Sequence, residues 1–191
     1  MDNLKQTYKK IWTYLKEIEN YILITCIIFF LSTVFGFVFP VFFHNYIREF
    51  IQEVMEITRD MNFLELLIYI LKNNLTVSLM GALLGAIAFG AFPLVITLFN
   101  GYAIGYISRF TVMESGFSSL IMLLPHGIFE LPAVILSLGM GLKLGMFIFA
   151  KNKKKKFSYD LRNILRVFVF VIIPLLTLAA TIEAGLIILF S

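Results

Sequence analysis

The chain has 191 residues, of which 60% are hydrophobic and only 15% are charged, and its mean hydropathy is +0.90. A soluble domain carries about 25% charged residues, and one of this size cannot bury several long uncharged segments, so the composition excludes a water-soluble fold. The positive charge, +4 overall, is concentrated beside apolar segments, which indicates contact with anionic lipid headgroups rather than with nucleic acid.

Residues 1–20 predict a basic amphipathic helix that lies on the membrane surface. Apolar side chains recur at three- and four-residue steps from Leu4 to Ile18, and lysines occupy much of the remaining surface. Residues 21–43 contain no charged residue and are long enough to cross a hydrocarbon core of ~30 Å as the first span. The single cysteine, Cys26, lies in this span, so the chain cannot form an internal disulfide.

Residues 44–73 predict an acidic amphipathic segment on the outer side of the membrane. The segment contains three basic and five acidic residues, as expected of an outside loop, because lysine and arginine are retained on the cytoplasmic side. Its last part, residues 63–71, is apolar apart from Glu65. This part either continues the surface layer or begins the second span.

Residues 74–150 predict a glycine- and proline-rich transmembrane core. Residues 75–108 are uncharged over 34 positions, which is too long for one upright span, so we predict a tight helical hairpin with a break near Gly90, Pro93 or the pair Asn100-Gly101. Residues 118–131 predict a half-helix that precedes a further span. Pairs of glycines four residues apart predict close helix packing within the chain or between copies of it. These pairs are Gly81 and Gly85, Gly101 and Gly105, and Gly141 and Gly145.

Residues 151–166 predict a cytoplasmic loop, and residues 167–191 predict the last span. The loop is rich in lysines that we expect to contact lipid headgroups: Lys151, Lys153, Lys154, Lys155 and Lys156. If this loop and the N-terminus are both cytoplasmic, an even number of crossings must separate them. The first span, the two crossings of the hairpin and the span after the half-helix make four crossings, and the last span is the fifth. The sequence thus predicts an all-α, polytopic bundle in the cell membrane, with about five crossings, a broken or re-entrant helix near Pro125–Pro132 and amphipathic surface helices.

Residues 124–133 place two titratable side chains among residues that interrupt helices. His126 and Glu130 are four residues apart and share a helix face, while Pro125, Gly127 and Pro132 favour a break that frees backbone groups. Such a broken helix either holds a re-entrant hairpin together or lines a path for an ion, a proton or a substrate.

Lys143 and Glu183 are two further charges within apolar segments, and they complete the candidate polar site with His126 and Glu130. An unpaired charge in the membrane is costly. We therefore expect Lys143 either to pair with Glu130 or Glu183, or to extend its ammonium group toward the cytoplasmic boundary.

Motifs for catalysis and for metal binding are missing from the sequence. It contains no His-Glu-x-x-His, no Gly-x-Ser-x-Gly and no phosphate-binding glycine loop. His126 and Glu130 supply only two of the ligands that a metal site needs. We expect no enzymatic activity, no cofactor and no bound metal.

Part of this pattern resembles a known family, the stage II sporulation protein M family, over roughly residues 20–190. The most specific part is Pro125-His126-Gly127 followed by Glu130-Leu131-Pro132-Ala133. Further matching positions are Asn73-Asn74, Gly81, Gly85, Gly90, Pro93, Asn100-Gly101 and Gly105. The resemblance implies an integral membrane protein, which in spore formers anchors a peptidoglycan-degrading assembly needed for engulfment. The family is also widespread in organisms that do not sporulate, and the many Ile, Lys, Phe and Asn residues suit an AT-rich genome, which leaves an archaeal source open.

Three functions are consistent with these features. The sequence favours a non-enzymatic membrane scaffold or anchor for partner proteins, in the cell envelope or in membrane remodelling. The alternative is a transporter or channel with a path through His126 and Glu130, and an intramembrane hydrolase is third. The expected partners are the lipid bilayer and either further copies of the chain or other membrane proteins, and not nucleic acid.

Overall fold

The computed structural model describes the backbone of residues 2–190 and the side chains of residues 4–87, 89–118, 120 and 127–189. Within this part the chain is helical and contains no strand. Its α-helices are α1 (Asp2–Glu17), α2 (Glu19–Val38), α3 (His44–Thr58), α4 (Phe63–Leu83), α5 (Ala91–Ser115), α6 (Leu120–Gly145), α7 (Lys153–Val167) and α8 (Ile173–Phe190). Short 3₁₀ turns lie at Leu84–Ala86, Ala88–Gly90, Phe117–Ser119 and Met146–Phe149, and a π-helical turn at Phe168–Ile172 joins α7 to α8.

Five helical segments are long and apolar enough to cross a membrane, and they are built on α2, α4, α5, α6 and α8. This confirms the predicted all-α membrane class with five crossings. The α6 helix is central, because it belongs to both groups of mutually contacting helices: α2 with α5 and α6, and α4 with α6 and α8. The main hydrophobic core joins α1, α6 and the α7–α8 helix, around Ile18, Leu144 and Ile164.

The predicted hairpin is formed by α4 and α5, and the chain reverses at residues 84–90. Phe89 and Gly90 both have left-handed backbone, with φ of 59° and 87°. Glycine adopts this conformation at little cost, and it places the start of α5 directly after the turn. Pro93 lies in the first turn of α5, where its missing N–H has no helical partner to lose.

The hairpin begins earlier than the uncharged stretch suggested, because α4 starts at Phe63. Asn62 caps this helix: its side chain accepts hydrogen bonds from the N–H groups of Leu64 and Glu65, and the Glu65 carboxylate accepts one from the Asn62 N–H at 2.9 Å. This reciprocal capping box fixes the start of the span. Residues 63–73 therefore belong to the second span, and only α3 remains in the surface layer.

The half-helix predicted over residues 118–131 is not a separate element, and this part of the prediction was wrong. The α6 helix runs through both Pro125 and Pro132 without interruption, and α5 likewise continues through Asn100 and Gly101. A proline removes one backbone hydrogen bond, but a membrane helix tolerates this loss when neighbouring helices surround it. Within the predicted hairpin the break lies at residues 84–90, where Phe89 and Gly90 have left-handed backbone and the chain reverses.

Glycines bring the spans into backbone contact within the chain. A Cβ atom on Gly85 would overlap the carbonyl group of Gly141, and one on Gly145 would lie 2.6 Å from the Gly85 carbonyl oxygen. A Cβ on Gly101 would lie 2.6 Å from the carbonyl oxygen of Phe29 in α2. Because real Cβ atoms do not approach so closely, these contacts require glycine, as the spacing predicted.

Candidate functional site

A cavity of about 530 Å³ lies between α4, α5 and α6 and has polar side chains in its lining. Three amides and one carboxyl group line it: Asn73, Asn74, Asn100 and Glu130. Asn74 and Asn100 are equidistant in sequence from Ile87, so the hairpin that reverses there places them at a similar depth. The volume falls within the range of ~300–1,000 Å³ that is typical of small-molecule sites.

Two of the cavity amides already donate one hydrogen bond within the protein. The Asn100 Nδ2 donates to the Ile96 carbonyl at 2.9 Å, and the Asn73 Nδ2 lies 3.5 Å from the Asn74 Oδ1. Each amide still has an oxygen and a second N–H with which it can bind a ligand. Together with the half-buried Glu130, this lining favours a ligand that donates hydrogen bonds or carries positive charge.

The amphipathic helix α3 covers one side of this cavity, where Tyr46, Ile47, Phe50 and Ile51 line it. The helix is attached to α5 at a few points. Ile47 is buried against Tyr102 and Tyr106, and the hydroxyl of Tyr106 is hydrogen-bonded to the Nδ1 of His44 at 2.7 Å. Access to the cavity from this end therefore depends on the position of α3.

Lys143 lies at the other end of α6, away from Glu130. Thirteen residues separate the two, about 20 Å along a helix axis at ~1.5 Å per residue. The Lys143 ammonium lies 3.6 Å from the Glu17 carboxylate and 5.1 Å from the centre of the Tyr21 ring. The expected pairing with Glu130 or Glu183 is thus wrong, and the alternative, extension toward the boundary, is observed.

Glu17 is the centre of a charged cluster that joins α1, α6 and α7. Lys156 Nζ donates to Glu17 at 3.0 Å and to the buried Asp160 at 3.1 Å, and the Tyr159 hydroxyl donates to Glu17 at 2.9 Å. Burial alone would raise the pKa of Glu17, but the hydrogen bonds from Lys156 and Tyr159 and the nearby lysine charges lower it below its ordinary value. Lys156 is therefore engaged within the protein, whereas Lys151, Lys153, Lys154 and Lys155 are exposed and available to headgroups.

The four predicted polar residues do not form one site. Glu130 and Glu183 are close enough to interact electrostatically, and Lys143 belongs to the separate Glu17 cluster. The His126 and Pro125 side chains lie outside the described residues. Among the side chains that are described, no group of three or more histidines, cysteines or carboxylates is placed to hold a metal ion.

The cavity amides were missed as site residues by the sequence reasoning, which treated Asn100 as a helix break. A signal was present, because Asn73, Asn74 and Asn100 are amides within segments that are apolar enough to span a membrane. Polar residues in such segments usually face the bundle interior. Placing the hairpin turn at residues 84–90 would have brought the three residues together.

The fold and the cavity define a multi-pass helical membrane protein with a polar site between its spans. The chain belongs to the stage II sporulation protein M family, whose model matches residues 25–186. It is 30% identical over 198 aligned residues to an uncharacterized protein of the archaeon Methanocaldococcus jannaschii, covering 91% of this chain and 85% of that relative. A second uncharacterized protein of the same archaeon is 32% identical over 120 residues, covering 60% of this chain and 66% of the relative. No solved structure matches the chain.

Proposed function

We propose that this protein is a non-enzymatic scaffold or anchor in the cell membrane, which binds partner membrane proteins or further copies of itself through α3. The observation that carries the proposal is the exposure of α3. Ile47 is its one fully buried residue, whereas large apolar side chains such as Tyr46, Phe50 and Met55 are more than half exposed. A helix that is both apolar and accessible fits a contact surface.

The charge of α3 favours a basic partner segment. Glu49, Glu53 and Glu56 are all exposed on this helix, and no ion pair involving them occurs among the described residues. Such carboxylates steer an oppositely charged surface toward α3 and discriminate against acidic ones. The apolar side chains beside them supply the area that is buried on binding.

The packing of the core favours a scaffold over an open path. Gly81 on α4 and Gly85 in the 84–86 turn are in backbone contact with Gly141 and Gly145 on α6, and these contacts lie at the level of Lys143, beyond the Glu130 cavity. Backbones in contact leave no space for a hydrated ion. A conducting protein would have to separate α4 from α6 at this layer.

A transporter or channel is the second candidate, and the Glu130 cavity is the observation that favours it. A carboxyl group and three amides in the membrane are typical of a binding site for a cation or a proton. Proton and potassium flux into liposomes, measured with entrapped dyes for wild type and Glu130→Gln alongside their thermal unfolding, tests this candidate. Flux that falls in Glu130→Gln while its stability is unchanged would support the path, and flux equal to protein-free liposomes would exclude it.

The scaffold is tested by photo-crosslinking in native membranes from position 55, on the exposed face of α3. We expect an adduct with one defined protein, or with a second copy of the chain, that disappears when Glu49 and Glu53 are changed to lysine. A matched photo-crosslinker at position 31, which is exposed on α2, should react only with lipid. The proposal fails if position 55 also reacts only with lipid, or if charge reversal leaves the protein adduct unchanged.

We propose that the N-terminus and the 151–156 loop are cytoplasmic, so that α3 is outside. The contact of α1 with α7 supports one side for both segments, and the lysines favour the cytoplasm. Single cysteines at positions 55 and 154, in a Cys26→Ser background, report the orientation through an impermeant thiol reagent. We expect labelling of intact cells at position 55 only; labelling at position 154 would reverse the assignment.

A further inference from the structure

We propose that the groove between α1 and α7 binds the phosphate of an anionic phospholipid headgroup. The groove has a volume of about 530 Å³. Two cations on each wall line it, Lys9 and Lys10 on α1 and Arg162 and Arg166 on α7. None of the described side chains that line it is a carboxylate, so the groove has a net positive charge that a ligand can neutralise.

Within the groove, Asn163 holds the guanidinium group of Arg166 in a fixed position. Asn163 is buried, and its Nδ2 donates to the Tyr159 carbonyl at 3.0 Å. Its Oδ1 accepts from the Arg166 Nη1 at 2.6 Å. Arg166 therefore presents its remaining N–H donors in a defined direction, and an arginine fork matches the oxygens of a phosphate better than a flexible ammonium does.

The carboxylates nearest to this groove are already neutralised. Glu17 and Asp160 both accept from Lys156, and Glu17 also lies near Lys143. Tyr159 belongs to both features, since its hydroxyl donates to Glu17 and the residue also lines the groove. The cations of the groove consequently face little internal competition for an anionic ligand.

The location of the groove favours a lipid over a soluble anion. Arg166 is the last charged residue before a run of uncharged positions that extends to Ile182, so the groove lies where the α7–α8 helix changes from charged to apolar. On a different face of α1, Leu4, Tyr8 and Trp12 form an exposed apolar stripe at one-turn spacing, which indicates that this helix lies against the bilayer. Aromatic and apolar side chains in this arrangement are typical of the headgroup level of a bilayer.

The single tryptophan, Trp12, allows lipid binding to be measured without a label on the protein. The full chain is reconstituted in phosphatidylcholine vesicles with increasing amounts of phosphatidylglycerol whose acyl chains are brominated and quench tryptophan. Brominated phosphatidylcholine gives the reference. Both lipids offer a phosphate, but the choline ammonium of phosphatidylcholine is repelled by the four cations of the groove, so we expect phosphatidylglycerol to be preferred by about tenfold.

Two independent double variants test the two walls. Arg162→Gln with Arg166→Gln, and separately Lys9→Gln with Lys10→Gln, should each reduce the preference to about twofold or less. The matched control, Lys151→Gln with Lys153→Gln, removes the same charge from exposed lysines outside the groove, which attract headgroups through charge alone, and should reduce the preference less than either groove pair does. The α1 pair contacts neither Asn163 nor the Glu17 cluster through a hydrogen bond, so it is informative even if loss of the arginines unfolds α7.

Three outcomes would overturn the proposal. The first is an equal loss of preference in the lysine control, which would indicate general surface electrostatics. The second is displacement of the brominated lipid by millimolar inorganic phosphate, which would indicate a site for a soluble anion. The third is tighter binding of a short RNA at the same four residues than of phosphatidylglycerol.

Discussion

The substitution Gly85→Ala is expected to lower the free energy of unfolding, whereas the same substitution at Gly185 in α8 is not. A Cβ on Gly85 would overlap the carbonyl of Gly141, and it would lie 2.7 Å from the Gly141 Cα. Carbon atoms in contact are ~3.5–4.0 Å apart, so α4 and α6 would have to separate by about 1 Å. A gap of that size forfeits a quarter to a half of the dispersion energy of each contact that it opens.

The expected cost for Gly85→Ala is about 3 kcal/mol, at the upper end of overpacking mutations, because the clash is with backbone and no side chain can move aside. The matched control is Gly185→Ala, since a Cβ there meets nothing within 4 Å. Alanine at Gly185 should be neutral or stabilising by up to ~1 kcal/mol, because alanine favours helix. Thermal unfolding in detergent, followed by size-exclusion chromatography, compares the two. Equal Tm values for Gly85→Ala and Gly185→Ala would refute the close backbone contact between α4 and α6.

Three further predictions concern the attachment of surface segments. Tyr102→Phe removes the hydroxyl that donates to the carbonyls of Phe39 (2.9 Å) and Phe42 (2.5 Å), and it should lower the free energy of unfolding by about 1–2 kcal/mol, measured by thermal unfolding against wild type. Asn62→Ala should cost about 1 kcal/mol through loss of the α4 cap, whereas Asn62→Asp, which can still cap, should cost less. The lowered pKa of Glu17 stabilises the α1–α7 contact at pH values above its ordinary pKa, and this stabilisation is lost as pH falls through the lowered value. Proteolysis of α1 should therefore accelerate as pH falls below 4.5, the ordinary pKa, in wild type and depend less on pH in Glu17→Gln; an unchanged pH dependence would contradict the role of Glu17.

The number of spans was predictable because it depends on local composition and on charge. Uncharged segments must satisfy their backbone within helices, and placing the lysines of the N-terminal segment and of the 151–156 loop on one side of the membrane requires an even number of crossings between them. The position of the break was less predictable. Pro125 and Pro132 are strong helix-breaking signals in water, but both lie inside α6, whereas Gly90 and the left-handed Phe89 form the turn.

The candidate site was only partly predictable for a related reason. Glu130 was recognised because a carboxyl group in an apolar segment is unusual. Its neighbours Asn73, Asn74 and Asn100 come from two other helices, and their proximity depends on where the hairpin turns. The partner of Lys143 is Glu17, more than a hundred residues away in sequence, which no local pattern indicates.

The sequence by itself determined that this protein lies in a membrane, that it is helical and how many spans it has. The reason is that the bilayer acts on each segment separately according to its length, hydropathy and charge. Only the tertiary structure decided which glycines meet, which carboxylate neutralises Lys143, which amides share a cavity with Glu130 and how α1 and α7 form a basic groove. Those features depend on the packing of helices that are distant in sequence. Between membrane helices that packing follows shape and hydrogen bonding rather than the pattern of apolar residues, since lipid is as apolar as the side chains that face it.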